Sequence, residues 1–367
     1  MKKNLKNIGH VLGLPFFSVI FALLLGGLII LSLGYDLNKA YSSLLDGSVG
    51  NLNAFSETLV NSIPLIFTAI SYAITYRSGL INLGADGQFY MGALIGSFVG
   101  SRFSELPVTI HIMLIFLCAF LGGALWGFIA GFLKVKFSAS ELITTIMLNY
   151  IALECVSFCV LNRPFRDMTP GAAPRMPTVI REVQLPSLLP NTRLHFGLLI
   201  GIGLLFVYYI IMWRTTKGYE LRVMGHNRYA GEYSGFPIRS NSIIAFSLAG
   251  GIAGLGGIVN ILGLQYFLTL ESCGANFGFT GISVALLGGC SAIGILFSSI
   301  LFGALNAGGV RMQTVAKVPA ATTHLIQGLI ILFVISPRIF PVIREFVGKL
   351  TCALGKGTTS KRKKYGF

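Results

Sequence analysis

Long apolar runs dominate the chain. Six of them come close to the ~20 residues that a helix needs to cross hydrocarbon, at 11–33, 59–76, 110–133, 142–161, 194–213 and 243–264. A seventh, 320–335, is slightly short and uncharged apart from His324. Three further pieces, 89–100, 282–290 and 293–307, are short and interrupted by glycine, and none spans with ease alone. Irregular backbone at membrane depth survives only where protein or a water-filled cavity covers it. These pieces are therefore expected as short or tilted helices in the interior. The pattern predicts an all-α integral membrane protein of about ten transmembrane helices, short glycine-broken ones included, over the whole of 1–367.

Composition agrees with lipid as the solvent. Of 367 residues, 54% are hydrophobic and 11% charged, with mean hydropathy +0.76, against roughly 25% charged in a typical soluble domain. A net charge of +15 raises the question of nucleic acid. The Lys and Arg lie between apolar blocks and at the ends, however, with no continuous basic face, so no nucleic-acid partner is expected. The excess reads as a topology signal. With ten spans both termini are expected to be cytoplasmic. The inner segments then hold Lys2, Lys3, Lys6, Arg77, Lys134, Lys136, Arg214, Lys217, Arg222, Arg228, Arg239 and eight more Lys and Arg between 338 and 364. The outer ones keep Lys39, Arg102, Arg311, Lys317 and five arginines between 163 and 193, an asymmetry in the positive-inside direction. The basic tail, about 338–367 with Lys361, Arg362, Lys363 and Lys364 in succession, is expected against anionic headgroups. The start MKKNLKN has the flank of a signal peptide, but the run after it is too long and lacks a small-residue cleavage site, so it is expected to stay as the first membrane helix.

Polar residues inside these blocks are the candidates for function. The stretch 79–92, GLINLGADGQFYMG, places Asn82, Asp86 and Gln88 among permissive glycines. Either they line a polar path, or the stretch is a cytoplasmic turn in which Asp86 caps the helix that follows. Glu141, Thr145 and Asn149 share one helical face at i, i+4. Glu154 is rotated away from that face and lies deeper, where a carboxylate needs a partner. Interhelical hydrogen bonds and solute contact are both open for this set. AGGIAGLGG at 249–257 would let another helix backbone approach closely. The stretch 162–193 carries six prolines, which predicts a draped loop with a short helix.

The segment 214–241 has helical character from Tyr219 to Tyr233. A short amphipathic helix held between two membrane helices suits an element that takes up motion from a cytoplasmic motor; the alternative is a helix resting on the membrane plane. Catalytic, cofactor and metal sites are not expected. ALGKGTTS lacks the glycine spacing of a phosphate-binding loop, since position 350 is Leu, and the five histidines and six cysteines are scattered.

Four stretches, GLINLGADGQFYMGALIGS (79–97), SASELITTIMLNYIAL (138–153), GYELRVMGHNRYAGEYSGFPI (218–238) and GFTGISVALLGG (278–289), resemble, in this order, the permease subunits of bacterial ABC importers. That family serves ribose-type sugars, nucleosides and branched-chain amino acids, and this chain looks most like its nucleoside branch. The resemblance implies one permease domain over 1–367 and three partners: a cytoplasmic ABC ATPase, a second homologous permease in a heterodimer, and an extracellular or periplasmic solute-binding lipoprotein. It implies that Glu220, Arg222, Gly225, Asn227, Ala230, Tyr233 and Gly235 form the ATPase-coupling loop. A path for a small polar solute is expected along Asn82, Asp86, Gln88, Asn149 and Glu154, with Gly84 and Gly87 in the same signature. Arg228, Tyr229 and Asp86 depart from the residues more usual in such permeases. A simple sugar such as ribose is the alternative solute. An ion-coupled secondary transporter using Asp86 or Glu154 is the alternative mechanism.

Overall fold

A computed structural model describes residues 19–103, 105–169, 173–273 and 276–335. The described residues contain no strand beyond one isolated antiparallel bridge between Ser187 and His195. The basic tail, the amino-terminal lysines and the first part of the run 11–33 lie outside them. The chain divides into two units, 35–320 and the two ends, 1–34 with 321–367.

In the unit made by the ends, the described helices are α1, Val19–Ser32, and α14, Ala320–Ile335, all but its first residue. Gly26 sits against the Ile326 side chain, and Phe21 meets Phe333 edge-on at 4.9 Å.

The larger unit runs α2 (Leu37–Ser48), α3 (Leu52–Arg77), α4 (Ala85–Arg102), α5 (Val108–Phe137), α6 (Glu141–Leu161), α7 (Gly197–Arg214), α8 (Thr216–His226), α9 (Arg228–Tyr233), α10 (Ile238–Asn260), α11 (Leu270–Cys273), α12 (Phe277–Leu287) and α13 (Ala292–Ala316). Six of these, α3, α5, α6, α7, α10 with its continuation to Gln265, and α13, are long and apolar enough to cross a membrane. Local chemistry sets their limits. Asn51 caps α3 by accepting from the Ala54 N–H at 2.7 Å. Ser138, at φ 53°, closes α5 in the left-handed conformation.

One expectation from the apolar pattern changes. The piece 293–307 is not short: α13 continues to Ala316 and has 25 residues. The apolar run stops at Gly308, Gly309 and Arg311 but the helix does not, because α2 covers that stretch, with Gly308 against the Leu44 carbonyl and Gly47 against the Arg311 side chain. The segment 34–57, lacking an apolar run, holds a 12-residue helix, α2, capped by Asp36 through the N–H groups of Asn38 and Lys39.

α10 packs against α3, α4 and α5 at the centre of the unit. A side chain at Gly250 would strike the Gly123 carbonyl of α5, and one at Gly257 would strike the Phe89 carbonyl of α4. Without side chains there, backbones meet directly and dispersion contacts replace the hydrophobic drive that lipid does not supply. Among its described residues the proline-rich segment has one short helix, the 3-10 turn Arg181–Val183. Its backbone crosses the ends of α4 and α10, where the N–H groups of Ile180, Leu185, Val179 and Met176 donate to the carbonyls of Gly100, Leu262, Tyr266 and Leu268. Asp167 and Arg175 pair at 3.0 Å within it, and bonds from Thr169, then Arg175, hold the Asp167 carboxyl below its usual range.

Candidate functional site

Two helix breaks organise the polar interior. The first, between α3 and α4, leaves the N–H groups of residues 83–87 without helical partners. Side chains supply three of them. Asn82 Oδ1 accepts from Gly84 N–H at 2.9 Å, Thr145 Oγ1 from Leu83 N–H at 3.3 Å, and Asn149 Oδ1 from Gly87 N–H at 2.8 Å. Asn149 Nδ2 returns a bond to the Leu83 carbonyl at 2.8 Å. Gln88 pairs with Asn82, Nδ2 donating to Oε1 at 3.1 Å. Asn82, Asp86, Gln88 and Asn149 are all buried.

Asp86 stands in the first turn of α4 yet serves another helix. Its Oδ1 accepts from Gly278 N–H at 2.7 Å and its Oδ2 from Phe279 N–H at 3.3 Å. It therefore caps α12 across 192 residues of sequence, where a carboxylate also suits the positive end of the helix dipole. Gly278 is needed there, since its first side-chain carbon would lie 2.7 Å from the Asp86 carboxyl carbon.

The second break, between α12 and α13, turns through Gly289 (φ 59°) and Cys290 (φ 50°). Its exposed carbonyls are taken by residues from two other helices. Arg77, last in α3, donates from Nη2 to Gly289 O at 2.8 Å, and Tyr208 of α7 donates its hydroxyl to Cys290 O at 2.8 Å. The Arg77 guanidinium also lies 5.3 Å from the Trp213 ring, with Arg222 of α8 at 5.5 Å from the same ring. Below Arg77 the backbones touch. Gly79, at φ 71°, would place a side-chain carbon 2.9 Å from the Gly225 Cα, and any side chain at Gly225 would strike the Arg77 carbonyl.

The segment 214–241 forms two helices, not one from 219 to 233. Asn227 ends α8 and caps α9, accepting from Tyr229 and Ala230 N–H at 3.0 and 3.1 Å. Glu220 bonds Lys217 Nζ at 2.9 Å and Asn241 Nδ2 at 2.9 Å, and these two, Lys217 first, hold its carboxyl below the usual range. Arg222 has its Nε buried without a hydrogen-bond partner among the described residues. Tyr229 and Tyr233 are 82% and 96% exposed, Ala230 is exposed, and Gly235 closes the pair at φ 80°.

The family described as the permease component of branched-chain amino acid transport systems matches residues 54–335. The chain belongs to this permease family. It is a multi-pass permease of the cytoplasmic membrane. It is 34% identical over 345 residues to the guanosine ABC transporter permease protein NupP of Bacillus subtilis, covering 94% of this chain and 98% of that one. The nucleoside permease NupB of Lactococcus lactis is 34% identical, covering 87% and 89%, and the glucose permease TsgB13 of Haloferax volcanii is 32% identical, covering 89% and 88%. In each of Bacillus subtilis and Lactococcus lactis the chain matches two different permeases, all four named for guanosine or nucleoside. No solved structure matches.

Of the residues expected to line a path in this permease, four are brought together and one is not. Asn82, Asp86, Gln88 and Asn149 converge at the first break. Glu154 is exposed on the outer face of α6. Glu141, one helical turn before Thr145, pairs with Lys134 at 3.1 Å. Arg77, Tyr208 and Trp213 carried no functional reading in the sequence. Arg77 counted only as an inner charge. The available signal was its place at the end of an apolar run, directly before Ser78 and Gly79.

Proposed function

We propose that this permease forms the membrane path of an ABC importer for nucleosides, driven by a separate ATPase that docks on α8 and α9. The observation that carries the reading is a continuous linkage. The docking pair presents Ala230, Tyr229 and Tyr233 outward, while its other side meets the base of α3 backbone to backbone at Gly225, and Arg77 there grips the break between α12 and α13. A push on α8 reaches the break between α12 and α13 without passing through a flexible link.

The solute class rests on the similarity to guanosine and nucleoside permeases. The glucose relative favours a sugar as the second reading. In this proposal α1, α3, α4, α5, α6, α7, α10, α12, α13 and α14 make up ten spans with both termini in the cytoplasm. α12 has 11 residues, about 16 Å at the helical rise and so about half the hydrocarbon thickness. Its start, and with it Asp86, then lies near mid-depth. Asn82, Asp86, Gln88 and Asn149 form the hinge beside the path, and Glu220, Arg222, Gly225, Asn227, Ala230, Tyr233 and Gly235 shape the docking element. ATP binding closes the motor, α8 moves, and α12 shifts against α4, so that solute handed over by an outer binding lipoprotein passes inward. A second, related permease completes the conduit.

The test is uptake into proteoliposomes carrying the permease with its companion permease, ATPase and binding protein, offered guanosine, ribose or glucose. ATP-dependent guanosine uptake that is lost in Ala230→Glu and Tyr233→Asp supports the reading. Guanosine refused while glucose enters moves the solute to sugars. Accumulation by the isolated chain on an ion gradient would make it a secondary transporter instead.

A further inference from the structure

Three helices of the larger unit turn a long face outward, and one of the three differs. On α5 the outward residues include Met113, Leu117, Leu121 and Leu125; on α7 they include Leu199, Ile202, Phe206 and Ile210. Neither face carries an ionic side chain between its ends, which is what acyl chains require. The outward face of α6 reads Ile143, Met147, Tyr150, Glu154, Phe158 and Leu161. Those positions are spaced 4, 3, 4, 4 and 3 apart, the repeat of a helix–helix seam.

Glu154 decides what covers that seam. It is three residues past the middle of the 21-residue α6, about 4.5 Å along the axis, and so close to the bilayer centre. Among the described residues it has no ion pair, in contrast to Glu141 near the start of the same helix, which holds Lys134 at 3.1 Å. A carboxylate at that depth does not face lipid; it faces protein or the water of a protein-lined path. A shallow groove of about 500 Å³ runs beside it, lined by Tyr150, Ile151, Glu154, Cys155, Phe158 and Cys159. The apolar side chains around it resemble those on α5 and α7, where Met113, Phe128, Phe206 and Tyr209 are also exposed, so the carboxylate is what sets this face apart.

We infer that a second, non-identical permease of the same family seats along this stripe of α6, with Glu154 turned into the seam between the two chains. The inference rests on the importer reading above and adds to it the surface where the subunits join. A different chain, not a second copy, is indicated because two distinct permeases named for one solute class match this sequence in each of two organisms.

The test uses the full chain, tagged and co-expressed in membranes with its companion permease and ATPase. A photo-crosslinking amino acid replaces Tyr150 on α6, Leu121 on α5 or Phe206 on α7. The expected result is an adduct with the companion permease from position 150 alone. An adduct from 121 or 206 with none from 150, lipid adducts alone from 150, or a 150 adduct with another copy of the same chain each overturns the inference. Co-purification of companion and ATPase with the tagged chain is read in the same samples. Its absence removes the importer reading and this inference with it, whereas its presence with the wrong adducts removes only the surface. As a second variant, Glu154→Leu is expected to lose the companion permease on purification while Glu154→Gln keeps it. A leucine variant that retains the companion as well as wild type counts against the seam.

Discussion

The two helix breaks solve one problem in opposite ways. The break before α4 exposes N–H donors, and uncharged side chains from the loop and from α6 satisfy them: Asn82, Thr145 and Asn149. The break before α13 exposes carbonyl acceptors, and these are met by Arg77 and Tyr208, from two other helices. The first is thus held by uncharged groups of its own loop and of α6, with one charged link, Asp86 to α12. The second is closed locally by Ser291, which accepts from the Gly294 N–H at 3.1 Å and donates to the Gly288 carbonyl at 2.8 Å, but its remaining carbonyls depend on α3 and α7, which also touch α8. A break held from outside moves when its holders move, so the second is suited to receive motion and the first to pivot.

The largest effect is expected from Gly225→Val, which drives a branched side chain into the Arg77 carbonyl, a backbone atom that cannot yield. Loss of folded permease, measured as the monodisperse fraction in detergent, is the expected outcome; a well-folded variant would mean that the α8–α3 contact is looser than drawn. Arg77→Ala comes next. It leaves the Gly289 carbonyl unpaired, and charge-assisted hydrogen bonds are worth about 1.5–3 kcal/mol. Solute uptake is expected to fall roughly 10- to 100-fold while ATPase still co-purifies, and a parallel loss of both would reduce Arg77 to a structural residue.

Asp86→Ala removes both acceptors from the start of α12, a cap worth about 0.5–2 kcal/mol. Asp86→Asn keeps one acceptor oxygen, so the comparison of the two in thermal unfolding separates capping from charge, with Asn expected to lie nearer wild type. The smallest effect is on acid sensitivity. The folded carboxyl of Glu220 is held below its ordinary range, so its contribution is present above the unfolded value of about 4.3 and is lost as pH falls through the folded one. Wild type is expected to lose slightly more stability than Glu220→Gln between neutral pH and that acid range, and equal loss would show that the Lys217 and Asn241 bonds carry nothing.

Several of these parts were legible beforehand. Runs near 20 residues locate spans because hydrocarbon demands continuous apolar surface. The polar set near Asn82 was visible for the complementary reason, that a polar group in such a run needs a partner. The helix that Asp86 caps was not visible. Sequence proximity points to α4, but α4 begins at Ala85 behind Gly84, which has no side chain to cap it, and the carboxylate goes to Gly278. The length of α13 was hidden because the cover of α2 permits glycine and charge inside the helix. Glu154 was expected to face the path from an interior position; its face depends on which side of α6 the other helices occupy.

The sequence by itself determined the solvent, the helical class, the positions of most spans and the glycines that let backbones meet, because each is a property of one stretch of chain. Tertiary structure alone decided that Asp86 serves α12, that Arg77 grips the second break 212 residues away, and that α6 turns a carboxylate outward. Those depend on distances between segments far apart in sequence, and no local periodicity encodes them.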